Sequence, residues 1–336
     1  MAVGHLFGNL ADGTPIHEVG IRRGELSASV ITYGAVIRDL VFQQRPLVLG
    51  FETLENYISH SPHCGAIAGR YANRIAAGHF ELDGTRYQLS LNEGGKTHLH
   101  GGFHGFGRKP WRVTDRSESA VQLRLVSPDG EEGYPGEVEV TCQYSIDDDN
   151  CLRITLEGRT DRPTILNLAG HSYFNLDGTA DTLSHLLEIP ATHYTPVNAQ
   201  LIPTGEIASV ENSPLDFRAM RPVRDEGQTT AFAYDHNFVI ARERAKTPHL
   251  AARLVGTATR TCLEVRSTEP GLQFYDGGKL NVPVAGLGGR RYGPNAGLCL
   301  EPQLFPDTPN HPDFGSAILR PGEIYRQVTE YRLSRQ

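Results

Sequence analysis

The stretch GEVEVTCQYSI, residues 136–146, alternates apolar and polar side chains with a period of two. Val138, Val140, Cys142, Tyr144 and Ile146 fall on one side of such a pattern, and Glu137, Glu139, Thr141, Gln143 and Ser145 on the other. An extended strand separates these two sets onto opposite faces, whereas a 3.6-residue helix would mix them. One face is thereby committed to a core and the other to water, as in an antiparallel sheet. Short segments of similar type recur in ASVITYGAVIRDLVF, HFELDGTRYQLS, VQLRLVSPDG, CLRITLEGR and TCLEVRST. Asp83-Gly84 supplies a hairpin turn between two of these runs. The 36 glycines and 21 prolines punctuate the chain between such segments. Helical periodicity is brief, limited to TLENYIS with Thr53 as cap and to SPLDFRAM. The pattern predicts an all-β chain: one large antiparallel β-sandwich domain over residues 1–336, with few short helices and no strand–helix alternation.

The formal net charge of −7 offers no broad basic surface, so neither nucleic acid nor an anionic membrane is an expected partner. No stretch approaches the roughly 18 apolar residues of a membrane span. The start, MAVGHLFGNL, lacks a basic region followed by an apolar one. Cys64, Cys142, Cys151, Cys262 and Cys299 show no CxxC spacing, and their odd number suits reduced thiols in a cytoplasm.

Candidates for chemistry cluster in a few places. In NLAGHSYFNLDG, an extended backbone puts His171, Tyr173 and Asn175 on one face, with Ser172, Phe174 and Leu176 on the other. A core histidine satisfied by its neighbours is the plain alternative to an acid/base group. In AGLCLEPQLFPD, Cys299, Glu301 and Gln303 oppose Leu298 and Leu300, and Pro302 is expected to end the strand beside Glu301. In YDHNFVI, Asp235 and Asn237 share a face, with Phe238 and Ile240 opposite. Asn73 and Arg74, in GRYANRI, offer an amide and a planar fork of donors suited to hydroxyls or a carboxylate. His98 and His100 have a metal-like spacing, but His104 lies past two glycines and no HExxH or CxxC pattern supplies further ligands. No metal is expected, and a satisfied structural role suits at least one of that pair. Gly101 and Gly102 would let the backbone approach a ligand closely.

Several of these segments, with GEEGYPGEVEV, YTPVNAQLIPTGEI, DHNF, TEPGLQFY and ILRPGEIYRQVTEYRL, resemble the aldose 1-epimerase family, the galactose mutarotases. The similarity runs in order from Gly69 to Leu333. It implies the family's large antiparallel sandwich and the interconversion of α and β anomers of a free monosaccharide such as galactose or glucose, with no metal or organic cofactor. By resemblance, His171 is the general acid, Glu301 the general base, and His100 assists. Asn73, Arg74, Asp235 and Gln273 match positions that bind sugar hydroxyls, and Ser172 and Tyr173 lie beside the acid. In that chemistry a histidine of ordinary pKa about 6.5 needs a modest upward shift to serve as an acid, which a nearby carboxylate would favour. Gly170 stands where the family commonly has Asn, and Asn198 where an acidic residue is frequent. Three other readings are weighed: a glycosidase using Asp235 and Glu301, a sugar-binding protein without turnover, and an epimerase for phosphorylated hexoses using Arg22 and Arg23 or Arg290 and Arg291. Preferred aldose and oligomeric state are left open.

Overall fold

The computed structural model describes residues 4–224 and 232–336. Three antiparallel sheets dominate. The largest has nine strands, in the order Arg112–Arg116, Ala120–Ser127, Val138–Ile146, Cys151–Thr160, Tyr325–Arg335, Thr261–Ser267, His249–Val255, Leu186–Glu188 and Arg221–Pro222. A six-stranded sheet runs Tyr173–Phe174, Leu298–Gln303, Gly271–Tyr275, Asp235–Val239, His193–Thr195 and Ala208–Ser209. A five-stranded N-terminal meander comprises His5–Asn9, Pro15–Arg23, Leu26–Ile31, Val36–Phe42 and Arg45–Pro46.

The period-two pattern produces this layering directly. Val138, Val140, Cys142, Tyr144 and Ile146 are all buried, while Glu137 and Gln143 are exposed. They share one apolar core with Leu272, Phe274, Leu298, Leu300, Phe174 and Phe238 of the six-stranded sheet and with Val19, Ile21, Leu26 and Leu40 of the meander. Each such side chain contributes about 1.5–3 kcal/mol by leaving water. A one-residue slip in register would turn the whole set outward, so the register is strongly specified. Phe174 meets Tyr331 edge-on across the two larger sheets, with centroids 5.1 Å apart.

Turn chemistry follows the sequence in most places. Asp83 and Gly84 take left-handed φ values of 50° and 76° between strands His79–Leu82 and Thr85–Gln88, as a two-residue hairpin requires. The helix Leu54–His60 starts at Thr53, whose side chain accepts from the Asn56 N–H at 3.3 Å. Two expectations fail. SPLDFRAM forms turns and no helix: the Pro214 carbonyl is taken by Tyr234 Oη and Arg221, while Phe217 is pulled into the core. The strand carrying Glu301 does not end there but runs to Gln303. The Pro302 carbonyl accepts from Gln327 Nε2 at 2.9 Å, outside the ladder, so a residue lacking N–H is tolerated.

Candidate active site

The strand alternation that buries Leu298, Leu300, Leu272, Phe274 and Phe238 sends their neighbours to the opposite face of the six-stranded sheet. Register aligns three of them in one row: Asn237 pairs with Gln273, and Gln273 with Glu301. Tyr173 pairs with Cys299 one step along. Directly opposed residues in such a sheet have Cβ atoms about 4.5–5.5 Å apart, so a polar platform is built from side chains far apart in sequence. Asp235, at the start of its strand, accepts from Gln273 Nε2 at 2.7 Å.

Loops set the remaining groups on this platform. The His171 backbone is clamped twice: its N–H donates to Ala66 O, and its carbonyl accepts from Gly65 N, both at 2.9 Å. Its Nε2 lies 3.7 Å from Glu301 Oε2, and its Nδ1 lies 3.6 Å from Cys299 Sγ. Asn73 and His100 hold each other: His100 N donates to Asn73 O, and the Asn73 N–H donates to His100 Nδ1 at 3.2 Å. With Nδ1 accepting, the proton of a neutral His100 resides on Nε2, which becomes a donor. Arg74 grips Glu93 through Nε and Nη2, both at 2.8 Å, while Nη1 reaches to 3.7 Å from Asp235. This two-pronged bond fixes the guanidinium plane. Ser172 is buried next to His171 in sequence, and Tyr173 packs its ring 5.1 Å from that of His171 while donating its hydroxyl to Pro62 O.

Among the described residues, Glu301 Oε2, Gln273 Oε1, Asn237 Oδ1 and Ser172 Oγ are buried without a hydrogen-bond partner. Buried polar atoms are nearly always paired, and an orphaned group in a native structure calls for an explanation. Three of them, on Glu301, Gln273 and Asn237, stand in the one row of the platform, as a surface for a polar ligand would.

Burial controls the titration of this site. It pushes His171 down to about 4. It pushes Glu301 well above the usual carboxylate range, with the Asp235 carboxylate adding to the rise and the Arg74 charge opposing it. The expected upward shift of His171 is therefore reversed: loss of water outweighs the attraction of a carboxylate 3.7 Å away. Burial, with the neighbouring His63 and His171, also holds His100 well below its ordinary value. The His171, Cys299 and Glu301 donor atoms lie within 4.8 Å of one another, close enough to grip a cation. Burial drives the Cys299 thiol well up, however, so it offers a protonated sulfur.

Other expectations resolve individually. His98 is structural, with Nε2 against Tyr134 Oη and Nδ1 against Ser90 O, both at 2.7 Å. Gly101 and Gly102 approach the protein itself: a Cβ at Gly101 would lie 1.7 Å from Gly69 O, and one at Gly102 would strike the Glu132 carboxylate. Asn167 does not substitute for the amide missing at Gly170, because it binds Ala72 O and the Leu304 N–H. Asn198 caps its own turn by accepting from Gln200 and Ile202. Arg22 and Arg23 pair with Glu118 and Asp148 and line a separate cleft of 450 Å³. Larger clefts of 740 and 670 Å³ also contain none of the residues on the polar platform.

Sequence reasoning did not single out Glu93, Cys299 or His63, which adjoin these residues. His63 has its ring 4.9 Å from His100 and 5.8 Å from His171. Strand parity had already placed Cys299 on the face of Glu301. Nothing local in SPHCG or LNEGGK marks the other two.

A family model described as aldose 1-epimerase matches residues 17–332. The galactose mutarotase of Rattus norvegicus is 39% identical over 98% of this chain and 97% of its own length. The aldose 1-epimerase of Escherichia coli is 36% identical over 86% of this chain and 85% of its own length. The crystal structure of a GalM/aldose epimerase homologue from C. elegans superposes with a TM-score of 0.89 at 30% identity, covering 95% of this chain and 99% of that one.

Proposed function

The chain belongs to the aldose 1-epimerase family, and from that premise we propose which of its residues open and reclose the sugar ring. The enzyme interconverts the α and β anomers of free aldoses. Galactose and glucose are the sugars we assign to it. The observation that carries the residue assignment is the pairing of His171 Nε2 with Glu301 Oε2 at 3.7 Å, both buried, on a platform of unpartnered polar atoms.

Ring opening removes the proton of the anomeric hydroxyl and delivers one to the ring oxygen. Glu301 takes the first, His171 gives the second, and the C1–O5 bond breaks to leave an open-chain aldehyde. Rotation about C1–C2 exposes the other aldehyde face, and the same transfers run backward to close the ring. Before opening, the working pair is imidazolium and carboxylate; afterwards it is imidazole and carboxylic acid. The two states hold the same number of protons. Burial disfavours charge on both partners, so it favours the second state, which accompanies the open-chain sugar. Arg74, Asp235, Gln273, Asn73 and the His100 Nε2–H hold the distal hydroxyls, leaving C1 free to turn. Ser172 and Tyr173 complete the wall beside the acid. Uniform grip on the whole sugar would not raise kcat.

The five cysteines are buried and unpaired, which fits a reducing compartment, and we place the enzyme in the cytoplasm; cell fractionation that recovers it elsewhere would contradict this. The defining experiment is polarimetry on freshly dissolved α-galactose and α-glucose, with wild type beside His171→Ala. Faster decay of rotation with wild type alone supports the assignment, and equal acceleration by the variant removes His171 from it. Hydrolysis of a chromogenic glycoside would instead favour the glycosidase reading.

A further inference from the structure

The chain Ser61–Gly65 does two things at once. Gly65 N and Ala66 O clamp the backbone of His171, and His63, two residues earlier, lays its imidazole beside the rings of His100 and His171. The three rings form a closed group, since His100 and His171 are themselves 5.1 Å apart. His63 takes a left-handed φ of 66°, a conformation unfavourable to any residue with a Cβ and tolerated better by His than by most. Non-glycine residues held in such regions concentrate at functional sites. The ring is half-buried, and among the described residues neither of its nitrogens has a hydrogen-bond partner. Its Nδ1 lies 3.7 Å from where a Cβ on Gly107 would stand, at ordinary van der Waals distance.

We infer that His63 is a third imidazole of the sugar site, which hydrogen-bonds a hydroxyl of the bound aldose beside His100 and so helps determine which aldose is held. This rests on the assignment of His171 and Glu301 to the sugar chemistry. Three features support it: the ring adjoins both His100 and His171, its polar atoms are unpartnered among the described residues, and the backbone holds it there at a conformational cost. Its charge state suits the task. Burial, with the positive fields of His171 and Arg108, holds His63 down to about 3, so it is a neutral ring at working pH. A neutral imidazole offers one donor and one acceptor, the pair a hydroxyl uses. A phosphate or carboxylate would ask for a cation, which this ring is not.

The test compares wild type, His63→Phe and His63→Gln. Phe keeps a flat ring against His171 and removes both nitrogens; Gln restores a donor and an acceptor. Mutarotation of α-galactose and α-glucose gives kcat and KM, and calorimetric titration with each sugar gives Kd independently of turnover. Removing a contact made equally to ground and transition states raises KM and leaves kcat. A neutral hydrogen bond is worth roughly a 3- to 10-fold change. His63→Phe is expected to raise KM and Kd for the better-bound sugar about 3- to 10-fold, with kcat within about twofold, and His63→Gln to recover most of it. Unchanged KM and Kd in His63→Phe overturn the inference, leaving the ring a packing element. A fall in kcat at constant KM also overturns it, because His63 would then act through His171. Failure of Gln to recover what Phe loses overturns it as well. His171→Ala, run alongside, tests the earlier assignment separately: if it stays active, that assignment fails while the Kd values still decide His63.

Discussion

Replacing Glu301 with Gln tests both the base role proposed for this residue and what it costs the fold. The residue is 2% exposed, its Oε2 has no hydrogen-bond partner among the described residues, and Asp235 adds like-charge repulsion. Gln matches it in shape and cannot accept a proton. Loss of a general base is worth about 10²–10⁴-fold, or roughly 2.7–5.4 kcal/mol in the barrier. Stability should move the other way. Leaving a buried charge poorly satisfied costs about 1–3 kcal/mol or more, and Gln carries no charge. With an unfolding entropy of about 2.1 cal/mol/K per residue, the 336-residue chain gains roughly 1.4 °C per kcal/mol, so Tm should rise by about 1.5–4 °C. The gain depends on pH with a definite sign. Glu301 is raised in the native state, so its cost is fully present above the native pKa and vanishes below the ordinary carboxylate value of about 4.5. Polarimetry at pH 7 and thermal scans at pH 7 and pH 4 measure both effects. More than a tenth of wild-type kcat would refute the base assignment. A Tm lower than wild type at pH 7 would refute the claim that this carboxyl strains the fold.

Arg74→Lys keeps the charge but loses the fork that binds Glu93 while reaching toward Asp235, so KM should rise about tenfold or more, with the smaller effect in kcat; an unchanged KM would show that the guanidinium is not a sugar ligand. Gly101→Ala puts a Cβ 1.7 Å from Gly69 O at a φ of 86°, so the soluble yield or Tm should fall sharply, and a variant as stable as wild type would contradict the close approach described.

The strands were legible because burial writes itself into the sequence at period two, as in Val138 through Ile146. Parity along single strands also placed Cys299 and Glu301 on one face, and Asp235 and Asn237 on another. What joins those faces is register between strands distant in sequence, and no local signal fixes that Asn237, Gln273 and Glu301 stand in one row. Local rules misled where tertiary structure used a residue for another purpose. Pro302 stays inside a strand because its carbonyl serves Gln327, and Gly101 is small for the sake of Gly69. His63 left no trace because its position depends on a loop that folds back over His171. The pKa of His171 was misjudged for a related reason: sequence can suggest a carboxylate partner, but the depth of burial comes only from the assembled layers.

That depth fixes the pH range in which the pair can work. In the mechanism we propose, turnover needs one proton shared between His171 and Glu301, and both ends of the range follow from the shifts. On the acid side, the pair gains its second proton at His171, which burial holds down to about 4. Below that value Glu301 has no vacancy for the anomeric proton, and kcat/KM should fall about tenfold per pH unit. On the alkaline side, the shared proton leaves only above the ordinary carboxylate range, because Glu301 is raised. The plateau should therefore extend well below the ordinary histidine pKa of about 6.5. An exposed histidine acting beside a carboxylate of ordinary pKa would behave differently, losing its proton, and with it the activity, as pH rose through about 6.5. The two apparent values belong to the pair rather than to either residue. Stability carries the same signature. An imidazole depressed in the native state binds fewer protons there than in the unfolded chain, so its contribution is complete above about 6.5 and is lost as pH falls toward 4. In wild type, the raised Glu301 takes up a proton over part of that interval and offsets the loss. In Glu301→Gln nothing offsets it, and Tm should drop more steeply between pH 6.5 and 4 than in wild type. A wild-type kcat/KM that falls as pH rises through about 6.5 would refute the reasoning, since it would mean that the histidine titrates as though it were in water.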